Sequence, residues 1–526
     1  MQRAVFHIAH SPQFRQSASR RNVSALVFLA LLLVAAVVPA QTIRNNGTMN
    51  NTGTLNCASF YNYKGGTPGT LNNTGTVNAS LLFDNNLTGA TVNNNAVGKI
   101  NLTGATSSYT NGLGATYNNT ATSRIAVAAT LSVGTGTFVT SAGEVLYNGT
   151  AAQTIAPLSY GILSTATGGT KSLSGTTAVQ SSLSIGSGTT LSVAGDTLTI
   201  NGIPSNAGTF AANAAGSLVI YNGAGNQSVL GALYDNLTVQ NGGTKTALGA
   251  VDVAGRLTNT ATFDLSTFAL TTGASASIVN TGSTIQTAGN VTFGARHLID
   301  GTFIYNASSG SQTLGAASYL NMTLSGGSGA TGQKNFPADT VSVRGIYAIS
   351  GANRNYGSGV FAYAGAAAQT VFSSEAYAGL TITGAADTSV HKTADGNLTL
   401  SGALFIAANN TLDMLGFGGT FGSGSMNSGK IMWQGNNAYV AGSGMTEFYG
   451  TTPGLVAVGA AYGNMRFSGS GTKTISGAVG ATGGNAAFGV TIDSNLTIGV
   501  GASLTITGMD MNAIGPITNN GTITVQ

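Results

Sequence analysis

The stretch "LYNGTAAQTI" at 146–155 is rewritten as "IYNGAGNQSV" at 220–229, "IYNASSGSQTL" at 304–314 and "AYAGAAAQTV" at 362–371. The interval between copies is long and uneven. A recurrence of that length reads either as a tandem β-sandwich domain or as several coils of a parallel solenoid. Downstream of each box stands a second tyrosine, with Leu or Met three residues on and an apolar residue two further. The copies are Tyr234-Leu237-Val239, Tyr319-Met322-Leu324, Tyr377-Leu380-Ile382 and Tyr462-Met465-Phe467, with Tyr160-Leu163 as a weaker one. A lysine then follows the tyrosine by eleven or fifteen residues: Lys171, Lys245, Lys334, Lys392 and Lys473. A fifth opening box is degraded to "MWQGNNAYV" (432–440), where Trp433 replaces the tyrosine, and "IAVAATLSVGTGTFV" (125–139) is a partial earlier copy.

Between the boxes, segments such as "LSIGSGTTLSVAGDTLTI" (183–200) alternate apolar and polar residues and are interrupted by glycine or asparagine every few positions. Period-two alternation with frequent breakers predicts short strands and tight turns, and no amphipathic helical pattern follows residue 40. The repeat length varies widely, which stacked coils tolerate and a closed sandwich core does not. The ends shorten to a six-residue step, as in "NNGTMNNTGTLN" (45–56) and "TNNGTITVQ" (518–526). The fold class is therefore all-β: an elongated parallel β-solenoid, or β-helix, built from tandem repeats. Residues 41–120 hold eighteen asparagines, which predicts turn ladders in which stacked amides pair. Coils ~4.8 Å apart with ~20–25 residues each make a rod on the order of 100 Å long. The expected organisation is a leader over 1–40, an Asn/Gly-rich short-repeat segment over 41–124, and about five units over 125–526, starting near 145, 218, 302, 360 and 431.

The leader reads as a secretory signal peptide: a basic stretch, an apolar run from Val23 to Val38, and "VPA" before Gln41. The run is too short to span a bilayer comfortably, and no later stretch is long enough. The location expected is secreted or at the cell surface. Arg3, Arg15, Arg20 and Arg21 leave with the leader, so the whole-chain charge of +4 becomes fifteen cations against fifteen carboxylates. A neutral chain gives no electrostatic reason to bind nucleic acid. A single cysteine rules out an internal disulfide framework, so packing and backbone ladders must hold the fold.

The unit "YNG…QT…Y..L…GTK.LSG…V…L.I..G..L" resembles the β-strand repeats of large bacterial secreted and surface proteins, of the filamentous-haemagglutinin and autotransporter-passenger adhesin type. The resemblance covers roughly residues 125–526. It implies a non-catalytic adhesive or structural rod, and no C-terminal membrane barrel or wall-anchor pattern accompanies it.

Motifs for chemistry are weak by comparison. "GSGATG" (327–332) matches a dinucleotide fingerprint without a following helix, and "GSMNSGK" (424–430) mimics a phosphate loop with Ile431 where a Mg²⁺-binding hydroxyl belongs. Both are composition effects, as are the many Asn-x-Thr/Ser matches. His297 and His391, the two histidines beyond the leader, do not sit at metal-ligand spacing, so no metal or cofactor is expected. "DTSVHKTAD" (387–395) reads as a lengthened loop, and Cys57 as a small, partly buried thiol. The repeated tyrosines read as edge packing rather than sugar platforms. The five lysines read as solvated turn residues; displayed repeatedly, they and Trp433 are the candidate surface or ligand positions.

The functional expectation is a secreted or surface structural or adhesive rod that is not an enzyme. Its partners would be surface glycans, host or neighbour-cell receptors, or other copies of itself. The alternative is a polysaccharide-acting β-helix lyase or glycosidase, which needs carboxylates clustered on adjacent coils; here they are scattered. The threonine spacing looks too irregular for an ice-binding or other ordered-hydroxyl surface.

Overall fold

A computed structural model describes residues 41–525 apart from 121, 141, 327–331, 422–424, 429, 434–443, 450–460, 463, 477–489, 493, 508–510 and 514. The leader therefore lies outside the described residues, as do most of "GSGATG" and of the fifth box. Among the described residues there is no helix, and the strands stack as a parallel β-solenoid of about 20 turns. At ~4.8 Å per turn, about 20 turns make a rod roughly 95 Å long.

The stacking follows from side-chain alternation. In the strand Thr48–Asn51, Met49 and Asn51 point inward while Thr48 and Asn50 point out. The next coil repeats the pattern in register, with Thr48 over Thr70, Met49 over Leu71 and Asn51 over Asn73. Thr70–Asn73 lies in turn on Thr91–Asn94, and that on Thr116–Asn119. Inward residues such as Leu71, Val92, Ile100 and Ile125 are fully buried, and each such side chain contributes about 1.5–3 kcal/mol relative to exposure. One short hairpin departs from the parallel order: Tyr63–Lys64 pairs antiparallel with Thr67–Pro68. Its two-residue tip, Gly65 and Gly66, has φ of 57° and 83°, the left-handed pair that a type I′ turn requires.

Asparagine ladders mark the corners of the first coils. Asn51 donates to Asn73 at 2.7 Å, Asn73 to Asn94 at 2.7 Å and Asn94 to Asn119 at 2.9 Å. The second amide hydrogen of each donates to a backbone carbonyl at the far side of the corner, such as Lys99 O for Asn73 and Arg124 O for Asn94. A parallel ladder runs Asn45–Asn62–Asn85–Asn111. These buried amides satisfy carbonyls that a corner takes out of the strand ladder. Glycine fits the corners for steric reasons: a Cβ on Gly75 would lie 2.1 Å from Gly53 O.

One expectation is corrected. In the first five coils the outward threonines are not irregular. Thr48, Thr70, Thr91, Thr116 and Thr137 form one column in register. Beside it Asn72 donates to Asn50, Asn93 to Asn72 and Asn118 to Asn93, at 2.8–2.9 Å. The sequence hid both columns because coil length changes: partners in the asparagine column are separated by 22, 21 and 25 positions along the chain.

The inward and outward ladders differ in what they carry. Asn94→Ala orphans a buried carbonyl and breaks two ladder bonds, at about 1–3 kcal/mol for each group left unsatisfied. Asn93→Ala, on the outside, should change stability by less than about 0.5 kcal/mol. Hydrogen exchange checks this coil by coil: the first substitution should speed exchange in Thr70–Asn73, Thr91–Asn94 and Thr116–Asn119, and the second should not.

Candidate functional site: the repeated polar cassette

The first two copies of the box each occupy the shortest coil of their stretch. Down one face, Arg124, Glu144, Ile162, Ser182 and Ile203 stack in register. The step from Glu144 to Ile162 is the shortest of these, and it holds the box. On the same face further on, Thr197, Leu218, Asn236, Arg256 and Ser277 stack likewise, and the shortest step, from Leu218 to Asn236, again holds the box. At these corners side chains complete the hydrogen bonding of the backbone.

Three contacts recur. Gln153 accepts from Gly149 N at 2.8 Å through Oε1, while Nε2 donates to the carbonyls of Val127 and Ala129 in the preceding coil. Gln227, Gln312 and Gln369 do the same on equivalent groups. The box tyrosine meets the downstream tyrosine through their hydroxyls: Tyr147–Tyr160 at 2.9 Å, Tyr221–Tyr234 at 3.0 Å, Tyr305–Tyr319 at 2.7 Å and Tyr363–Tyr377 at 2.8 Å. In the first copy Ala156 N donates to Tyr147 Oη, and Tyr160 Oη donates to Ala156 O, closing a three-membered ring of hydrogen bonds. The box glycine has a packing reason, since a Cβ at Gly149 would lie 2.0 Å from Ala128 O.

The third contact corrects the reading of the lysines. Lys171, Lys245, Lys334, Lys392 and Lys473 are not solvated turn residues: all five have zero exposure. Four lie one coil beyond the box glutamine and directly in register with it: Gln153 with Lys171, Gln227 with Lys245, Gln312 with Lys334 and Gln369 with Lys392. Lys171 Nζ donates to the carbonyls of Gly149, Ala151 and Gly168 at 2.6, 3.0 and 2.9 Å. Lys245 repeats this with Gly223, Gly225 and Gly242, and Lys392 with Gly365 and Ala367. Each ammonium is caged by carbonyl dipoles. Burial pushes all five down from the usual lysine value, Lys334 and Lys392 to about 8. The carbonyls oppose that shift, since they bind the charged form better.

Trp433 is likewise buried, at 1% exposure, and packs near Phe421. The expectation that the tyrosines pack holds for every described box pair. The remaining candidates have local partners. His297 bonds Thr272 Oγ1 at 2.8 Å, Lys392 of the "DTSVHKTAD" patch is a caged lysine, and Asp387 caps its own turn through Ser389. Cys57 is partly buried, and burial raises its thiol. The described residues hold no group of three metal-ligating side chains.

The carboxylates are the test of the enzymatic alternative. Asp413, Met432 and Glu447 stand in one column, so the two carboxylates are two coils, ~9.6 Å, apart. The sequence conceals this, because Lys430 and Met445 come into register across an unusually short coil. Asp413 faces His391 at 3.4 Å and accepts from Tyr449 Oη at 2.5 Å. Glu447 is held by Lys430, Arg466 and Ser468. Burial alone would raise Glu447, but the hydrogen bonds from Lys430 and Ser468 outweigh it and hold the carboxyl below its usual value. Elsewhere Glu375 pairs with Arg354, and Asp300 with Arg344 at 2.5 Å. The signal available for the box glutamines was their recurrence six or seven residues after the box tyrosine.

Two outcomes follow for the cassette. Lys245→Met leaves the carbonyls of Gly223, Gly225 and Gly242 without a donor and should destabilise the rod by several kcal/mol, at about 1–3 kcal/mol per orphaned group. Stability should also depend on alkaline pH in two phases. The unfolded chain holds more lysine protons than the folded one between about pH 8 and 10, so stability rises there. Above that, unfolded tyrosines ionise near 10, whereas burial pushes Tyr147 and Tyr221 up to about 12; the folded state then holds more protons and stability falls. Urea unfolding across this range checks both limbs, and Lys334→Met should flatten only the first.

No protein-family model, curated protein or solved structure matches the chain, so the chemistry of the cassette is read from its own geometry.

Proposed function

We propose that the chain is an exported, non-enzymatic rod that acts structurally or adhesively at or beyond the cell surface, in the manner of the bacterial repeat adhesins that its units resemble. The observation that carries this reading is the use made of the repeated residues. Tyrosine, glutamine, glycine and lysine recur because each copy spends them on closing the same kind of corner between coils, which is a requirement of stacking rather than of chemistry at one place. Extended surfaces favour many weak, similar contacts, and glycans, receptors or further copies of the rod are the partners that suit them. The neutral balance of the chain after its leader and the leader itself support export.

The second reading, a polysaccharide-cleaving β-helix enzyme, has one observation in its favour, the Asp413–Glu447 column. An inverting pair stands ~6.5–9.5 Å apart and needs one carboxyl held protonated. Glu447 is instead held below its usual value by its cationic and hydroxyl partners. Asp413→Asn and Glu447→Gln decide the matter if polysaccharide cleavage is observed at all.

Removing residues 220–303 joins Val219 to Ile304, which precedes Tyr305 as Ile220 precedes Tyr221, so equivalent coils meet and a shorter rod should fold. In a unit-by-unit deletion series, attachment to cells should fall by degrees. One indispensable unit among dispensable ones would overturn the rod reading. Export predicts a mature N-terminus at Gln41, and an intact leader in a cytosolic fraction would refute it.

A further inference from the structure

We infer that the outer face of the first five coils is a binding strip for a single chain of a neutral, β-linked polysaccharide lying along the rod axis. The inference rests on the adhesive reading above and names its ligand class. The strip is the threonine column from Thr48 to Thr137 and the asparagine column from Asn50 to Asn118. Four steps of ~4.8 Å make it roughly 20 Å long, and the i to i+2 distance makes it ~6.6 Å wide. That is the footprint of one extended sugar chain rather than of a protein partner, which needs a far larger area. Each rung offers a hydroxyl and an amide edge, so a chain that advances by about one rung per sugar meets the same pair each time. Side-chain ladders of this kind hold a sheet flat, and the amide-to-amide bonds keep the asparagines in one rotamer, which lowers the entropy lost on binding.

Two further features select a neutral sugar. The strip's nine threonine and asparagine positions carry no charge, whereas the neighbouring face has a similar ladder, Asn56–Asn78–Asn101, beside Thr76, Lys99, Arg124 and Glu144. The second feature is aromatic. The box tyrosines are buried, but Tyr61 and Tyr63 are only partly buried and meet edge-on with centroids 5.8 Å apart. Tyr63 begins the hairpin that ends at Pro68, two residues before Thr70, so the pair stands at the corner that leads into the strip's second rung. Arg44 lies over Tyr61, 4.3 Å from the ring centroid, and Tyr63 Oη donates to Asp84 at 2.6 Å, which fixes both rings. A partly buried ring at the corner that leads into a row of hydroxyls and amides offers a stacking surface for a pyranose face.

The test is co-sedimentation of the chain from Gln41 onward with cellulose and with chitin, using polygalacturonate as the charged comparison. Retention on at least one neutral polymer, with polygalacturonate held about tenfold more weakly or not at all, is expected of an uncharged multivalent strip. Thr70→Lys with Thr91→Lys places two cations in the strip without touching the amide ladder and should weaken retention about tenfold or more; Tyr63→Ala should do so by a similar factor. Replacing Asn56, Asn78 and Asn101 by alanine on the neighbouring face should leave it unchanged. No retention on either neutral polymer, equal loss from the neighbouring-face variant, or inhibition of ice growth without glycan retention would each overturn the proposal. A chain that fails on glycans yet still attaches to cells by degrees in the deletion series loses this strip and keeps the rod. Release of soluble sugars from the retained polymer would instead sink the non-enzymatic reading and leave the strip standing.

Discussion

Backbone carbonyls at the corners are the constraint on which the rod depends. Along the flat faces, coil bonds to coil through the parallel ladder. At a corner the chain turns out of that ladder, and a carbonyl facing inward is cut off from water. Leaving it unpaired costs about 1–3 kcal/mol, and about twenty turns multiply the problem. The chain answers it with donors carried on side chains. In the first coils these are asparagine amides, which bond one another and a carbonyl at once. Further on they are glutamine and lysine, which reach from one coil to the next.

The two solutions differ in reach. Asparagine is short and bonds its own copy on the next coil together with a carbonyl of the same corner. Glutamine and lysine are longer and reach two or more carbonyls of the neighbouring coil at once. The tyrosine pair fills the space beside them with volume, and its joined hydroxyls satisfy the amide and carbonyl of one intervening residue. Burying the ammonium groups of Lys171, Lys245, Lys334 and Lys392 is tolerable because carbonyl dipoles converge on each charge, a fixed solvation shell in place of water.

Strand alternation, glycine and asparagine spacing and the absence of helical periodicity were enough to read the solenoid, because each is a local property of the chain. The asparagine turn ladders were legible for the same reason. The environment of the lysines was not, since Lys171 and Gln153 become neighbours only through the offset of one whole coil. That offset is longer between Gln312 and Lys334 and between Gln369 and Lys392, so no fixed spacing flags the pair. The threonine column and the Asp413–Glu447 column were hidden likewise: uneven coils conceal in the sequence what the stack aligns in space.

The caged lysines also bear on how such a rod would endure outside a cell. Trypsin-like proteases need a lysine or arginine side chain that can leave the fold and enter a deep acidic pocket. Five of the chain's eight lysines have their ammonium groups held inside the stack, and drawing one out means opening a coil on either side. The residues that close the corners thus also withdraw most of the lysine cleavage points from a protease. Durability outside a cell would come from the geometry of the stack, since a single cysteine forms no internal disulfide.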